Sequence, residues 1–152
     1  MRLRSWWSAG LMLVTGVLVG VTQDGVVSAT LGVVGFAVLA VLFSPLAFPR
    51  SLSAAEASRR SARDGRPVVY WRPGCTYCLR LRLRLGRRAG RAYWVDIWRD
   101  PEGAAAVRAV TGGDETVPTV VLPDGAVVNP DPAWLRARLA VRAGAAGDGR
   151  AD

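Results

Sequence analysis

Histidine and lysine are both missing from the 152 residues, and cysteine occurs only twice. Without histidine there is no imidazole to serve as a general base or metal ligand. Two cysteines fill half of a tetrahedral zinc site, so one chain cannot supply a structural site from nitrogen and sulfur ligands alone. A dimer pooling four sulfurs stays open as the holder of a bridging metal. The lack of lysine makes all twenty positive charges arginine, which we read as the mark of a GC-rich genome rather than of a function. Charge is scarce in the first fifty residues, where Arg2, Arg4, Asp24 and Arg50 are the only ionised side chains. That segment is set apart from the rest, and the hundred residues after it suffice for one small α/β core.

Two apolar runs are present instead, Trp6 to Val21 and Val26 to Phe48, separated by Thr22-Gln23-Asp24-Gly25. At about 1.5 Å per residue they would reach roughly 24 and 34 Å, against a hydrocarbon core of about 30 Å. The expectation is a transmembrane helical hairpin over residues 1–50, anchored by Trp6 and Trp7, with Gly16 and Gly20 allowing close helix approach. Arg2 and Arg4 precede the first run; Arg50, Arg59, Arg60 and Arg63 follow the second. The positive-inside bias then gives a two-pass cell-membrane protein with the remainder of the chain in the cytoplasm. A rival reading takes Arg2, Arg4, the first run and Val27-Ser28-Ala29 as a leader with a small-residue cleavage site. Between Arg59 and Arg91, eleven arginines face Asp64 alone. An anionic lipid surface explains that excess better than nucleic acid does, because it follows so closely on the apolar runs.

Beyond residue 50, Ser53-Ala54-Ala55-Glu56 fits a capping box. It opens a short helix over 51–65, ended by Gly65, which is either an amphipathic linker on the membrane surface or the first helix of the α/β core. Pro67 to Trp71 reads as a buried strand, and Arg91 to Ile97 as a second. Asp100-Pro101-Glu102 starts a helix with an N-cap and a proline at the first helical position, which stops at Gly112-Gly113. Val117 to Leu122 and Ala126 to Val128 read as two strands joined at Pro123-Asp124-Gly125. Asp131-Pro132 repeats the cap and proline for a helix to about Val141, and residues 143–152 read as a disordered tail. Leu79 to Leu85 alternates leucine and arginine with period two, a strand pattern. We assign it to helix because both residue types favour helix and arginine stems can lie along apolar surface.

The chemistry is carried by Cys75-Thr76-Tyr77-Cys78, placed where the Val68–Trp71 strand turns into that helix. Free amides and aligned peptide dipoles at a helix N-terminus favour negative charge. A thiol at Cys75 is therefore expected to ionise readily, and the thiolate is the reactive form. Cys78, one turn on, is more buried and is either a resolving thiol or dispensable. Two core cysteines or a structural disulfide are the bland alternatives. Arg72 is placed to stabilise the thiolate or a substrate carboxylate, or is a surface charge; Tyr77 lines the site or packs. Trp71, Trp94 and Trp134 are expected in the core, and Trp98 at the surface. Glu115-Thr116-Val117-Pro118-Thr119 follows forty residues after the dithiol.

With Val95-Asp96-Ile97, Asp100-Pro101-Glu102, Thr116-Val117-Pro118-Thr119-Val120, Asp124-Gly125 and Asn129-Pro130, the stretch from about Arg66 to Leu139 resembles a glutaredoxin. It is most similar to the mycoredoxins, the glutaredoxin-like proteins of bacteria that use mycothiol. The resemblance implies a thioredoxin-like α/β domain over 66–142, with about four mixed strands and three helices after the two transmembrane ones. It implies that Cys75 attacks mixed disulfides between proteins and a small thiol, with Arg72 and Tyr77 flanking it. Pro118 is expected in cis, facing the dithiol, with Thr116 and Val117 touching the small thiol and Asp124, Gly125 and Asp131 holding the rest of it. The implied co-substrate is mycothiol or glutathione, with no tightly bound cofactor and no metal. The implied partners are thiolated or disulfide-bonded proteins, membrane-associated ones among them, and not nucleic acid. A dithiol reductase using both cysteines, and a module carrying a metal or iron–sulfur cluster, are the rival functions. Departures from the family are the apolar hairpin, Thr76 where proline or glycine is usual, and the arginine-rich helix.

Overall fold

A computed structural model describes residues 7–42 and 48–148. The first part holds two helices, α1 (Trp7–Val21) and α2 (Val26–Leu42), packed on each other. The glycines of α1 set that contact: a methyl group at Gly16 would fall 2.5 Å from Phe36 Cβ, and one at Gly20 2.7 Å from Val33 Cγ2. The helices have 15 and 17 residues, or about 22 and 25 Å at about 1.5 Å each, short of a hydrocarbon core of about 30 Å. Among the described residues no helix is long and apolar enough to cross a membrane. This overturns the two transmembrane helices expected from the sequence: among the described residues neither helix has the length that the crossing requires. Trp6 and residues 43–47, which the expected spans included, lie outside the described residues.

The second part is built on a four-stranded mixed sheet. Its elements run α3 (Ala54–Asp64), β1 (Val68–Trp71), α4 (Thr76–Leu85), a 3-10 helix (Gly86–Arg91), β2 (Tyr93–Asp96), α5 (Pro101–Thr111), β3 (Thr119–Leu122), β4 (Gly125–Val128) and α6 (Pro132–Asp148). Strand order is β2-β1-β3-β4. β1 runs parallel to β2, with Val68 opposite Tyr93, and antiparallel to β3, with Tyr70 opposite Thr119. β4 closes the edge antiparallel to β3. Successive strand side chains point to opposite faces, yet all four of β1 are buried, so both faces of the sheet are covered. Helix α4 lies beside α6, and α3 contacts α5, β1 and β2. Where α5 crosses the sheet, a methyl group on Gly103 would meet Val95 Cγ1 at 2.8 Å, so the glycine permits the close approach.

The capping box opens α3 as the sequence indicates: the Glu56 amide donates to Ser53 Oγ, and Gly65 closes the helix in the left-handed region. Ala54, Ala57 and Ser61 are buried, so α3 is a fourth packed helix of the α/β unit, beyond the three implied by resemblance. Before it, Ser51 bridges to Trp94 in parallel and Phe48 stacks on Trp71 at 3.8 Å. Strands β2 and β3 begin two residues later than the sequence suggests, and the 3-10 helix was not anticipated. Helix α6 runs to Asp148, past the Val141 end and into the stretch read as a disordered tail; its alanines favour helix.

In α4 the alternating leucines divide by helical geometry. Leu81 and Leu85 join Cys78 in the core, while Leu83 is 58% exposed. Residues three and four apart share a face of a helix; a period-two run therefore cannot bury all its leucines. Trp71 and Trp94 are in the core, whereas Trp134 and Trp98 are both half-buried.

Candidate functional site

Pro73-Gly74 ends β1, and Gly74 adopts φ +78, a left-handed conformation glycine takes at little cost. The turn delivers Cys75 to the N-cap of α4 with extended backbone. Its Sγ accepts from the Cys78 amide at 3.3 Å, as the side-chain oxygen of a serine or aspartate cap would. In its protonated form the same sulfur donates to the Val117 carbonyl at 3.5 Å. Cys75 is half-buried and Cys78 fully buried, and the two are not bonded to each other.

The two sulfurs titrate in opposite directions. Cys75 is lowered to about 6, chiefly by a hydrogen bond from the Cys78 thiol, then by the Cys78 and Tyr77 amides and the Arg72 charge, which together outweigh its partial burial. Cys78 is pushed far above the ordinary thiol range, first by serving as that donor, then by burial and by the negative charge on Cys75. At neutral pH the pair is thus one half-buried thiolate and one protonated neighbour. Arg72 is held over the Trp98 ring at 5.9 Å, within the distance of a cation–π contact.

Facing the dithiol is the loop before β3. The Val117–Pro118 peptide bond is cis, the isomer the family resemblance implies. Val117 and Pro118 are buried and Thr116 is half-buried; the Thr119 hydroxyl donates to the Thr116 carbonyl at 2.7 Å and ties the loop down. Val117 is not part of the strand, and its carbonyl faces Cys75.

A groove of about 380 Å³ opens beside this loop, lined by Tyr77, Arg80, Pro118, Asn129, Pro130 and Asp131, with Leu81 and Pro132 completing it. The structure thus brings Tyr77 and Pro118 together, with Cys75, Thr116 and Val117 adjoining them. It does not bring in Asp124 and Gly125. Asp124 lies in the β3–β4 turn, where it pairs with Arg138 at 3.2 Å, and Gly125 opens β4, because a tight hairpin projects its turn past the end of the strands. The groove takes its far wall from the end of β4 instead. Asn129 has φ +48, its amide donates to the Pro118 carbonyl at 2.8 Å, and Asp131 Oδ1 accepts from the Ala133 and Trp134 amides. The sequence signal for these was present in Asn129-Pro130-Asp131-Pro132, two constrained dipeptides in succession. Arg80 was hidden in the leucine–arginine alternation. Among the described residues no group of three or more histidine, cysteine or acidic side chains is placed to hold a metal ion.

The glutaredoxin family profile matches residues 68–128, from β1 through β4. Two provisionally named glutaredoxins of Mycobacterium tuberculosis, from strains CDC 1551 / Oshkosh and H37Rv, are each 38% identical to this chain over 78 residues. The match spans 51% of this chain and 93% of each relative. Helices α1 and α2 lie outside the residues matched by the family profile. Fold, dithiol geometry and relatives agree: the chain belongs to the glutaredoxin family and is a glutaredoxin-like thiol–disulfide oxidoreductase.

Proposed function

We propose that the protein reduces mixed disulfides between proteins and mycothiol, with Cys75 as the sole nucleophile. The observation that carries this reading is the half-exposed, ionised Cys75 set beside the Tyr77–Pro118 groove while Cys78 stays buried and protonated. The Cys75 thiolate attacks the small thiol's sulfur, forming a Cys75–mycothiol disulfide; the protein thiolate leaves and takes a proton from solvent. A second mycothiol thiolate then attacks the bound mycothiol sulfur, releasing mycothiol disulfide and regenerating the Cys75 thiolate. Glutaredoxins use glutathione-like thiols as co-substrate; the choice of mycothiol is supported by the similarity of the motifs to mycoredoxins. Asn129 and Asp131 would hold the polar part of that thiol in the groove.

A dithiol route, in which Cys78 attacks Cys75 and closes a disulfide, is favoured by the two sulfurs sharing one hydrogen bond. Its attacking group must first lose a tightly held proton, which ranks it second. The test is reduction of a peptide mixed disulfide of mycothiol against one of glutathione, with the Cys78→Ser and Cys75→Ser proteins alongside. Faster turnover with mycothiol, retained in Cys78→Ser and absent in Cys75→Ser, is expected. Loss of activity in Cys78→Ser would replace the first route by the second. Action in the cytoplasm belongs to the same proposal, supported by the need to keep both thiols reduced; a reporter fused after Asp152 and active only outside the cell would defeat it.

A further inference from the structure

From Cys75 to Arg91 the chain carries Arg80, Arg82, Arg84, Arg87, Arg88 and Arg91 and no acidic residue. Arg82 is occupied, donating to the Gly86 carbonyl at 3.0 Å at the end of α4. The ion pairs of the described residues engage Arg59, Arg60, Arg66, Arg108 and Arg138. Among those residues, Arg80, Arg84, Arg87, Arg88 and Arg91 have none. Because Cys78, Leu81 and Leu85 face inward, Tyr77, Arg80, Leu83, Arg84 and Arg87 are exposed. Tyr77, Arg80 and Arg84 recur at helical spacing along α4 and so form one ridge; after Gly86 the 3-10 helix adds the exposed Arg87 and Arg88. Its first members, Tyr77 and Arg80, line the groove that also contains Pro118.

We propose that this ridge docks an acidic segment of the protein substrate and guides its disulfide to Cys75. Like charges one turn apart repel, and an acidic partner removes that repulsion while Tyr77 and Leu83, 66% and 58% exposed, offer it apolar contact. A protein fits better than a lipid surface because the ridge runs into the groove beside the reactive sulfur. A membrane laid along it would cover the place where the substrate disulfide must enter. Complementary charge of this kind raises association rates and fades with salt. The inference rests on the proposed function.

The test uses the full chain, reduced, in single turnover. Two short peptides carry the same cysteine as a mixed disulfide with 2-mercaptoethanol, one flanked by aspartate and glutamate, the other by lysine and arginine. Cys75 attacks the 2-mercaptoethanol sulfur and the peptide thiolate leaves. The acidic peptide should react roughly tenfold faster or more at low salt, and the advantage should shrink as salt rises. Arg84→Glu/Arg87→Glu, which touches neither sulfur nor groove, should abolish the advantage and leave the rate with bis(2-hydroxyethyl) disulfide unchanged. Equal rates on the two peptides, or an equal loss on both in the variant, would overturn the docking surface. So would a variant that loses binding to phosphatidylglycerol vesicles while keeping its peptide preference. Inactivity of the unaltered protein on bis(2-hydroxyethyl) disulfide would strike the functional reading instead. Docking is then judged by fluorescence anisotropy of cysteine-free versions of the two peptides, where equal affinity rejects it.

Discussion

In the first turn of α4, Cys75 and Cys78 lie three residues apart and titrate in opposite directions. In the turns that follow, Leu81 and Leu83 lie two apart and are 1% and 58% exposed. Each pair consists of identical residues, so the difference comes from position alone. At the start of the helix the deciding factors are the hydrogen bond between the two thiols, then the unpaired amides and access to solvent. Further along, they are which face meets α6 and the sheet. Reactivity is thus a property of the helix end, and stability a property of its inner face; the outer face is free to carry charge.

The sharpest way to break this comparison is to remove one sulfur. Cys75→Ser should lower mixed-disulfide reduction to the background rate, because the Cys78 thiol is buried and stays protonated; appreciable residual turnover would show that position does not separate the two. Leu81→Ala should cost about 2–5 kcal/mol of unfolding free energy, read by denaturant titration. Cys78→Ala removes the largest influence on Cys75 but leaves the Cys78 amide. The pH midpoint for alkylation of Cys75 should therefore rise from about 6 toward the ordinary thiol value of about 8.5. An unchanged midpoint would assign the shift to the helix end alone. The same lowered value has a sign in stability. The reduced fold gains from the thiolate fully above about 8.5, and the gain disappears as pH falls through about 6. Asp100→Ala should cost about 1–2 kcal/mol, since its Oδ1 accepts from the Gly103 amide and its Oδ2 from the Ala54 amide. Leu83→Ala, on the outer face, should move stability by no more than about 0.5 kcal/mol.

Much of the site could be read from the chain. The dithiol at a strand-to-helix junction, the Val117–Pro118 loop and the Asp100 cap are each local signals, fixed by residues adjacent in sequence. What could not be read depends on neighbours distant in sequence. Asp124-Gly125 and Asn129-Pro130-Asp131 are both turn-forming stretches near the end of the sheet. Only the position of β4 beside β3 decides that the second walls the groove and the first points away. The second bond of Asp100, to a residue forty-six positions earlier, ties α3 to α5 and has no local signature. The apolar runs taught the opposite lesson: composition marked them as a membrane-spanning hairpin, and among the described residues no helix is long and apolar enough to cross.

The sequence by itself determined which sulfur caps α4, because helix capping is a contract between residues three apart, and it determined the family through motifs spread over the α/β unit. Only the tertiary structure decided how acidic each sulfur is, which leucines are core and which residues face the sulfur across the groove. Burial, dielectric surroundings and the approach of another chain segment are set by packing, and packing brings together residues the chain keeps apart.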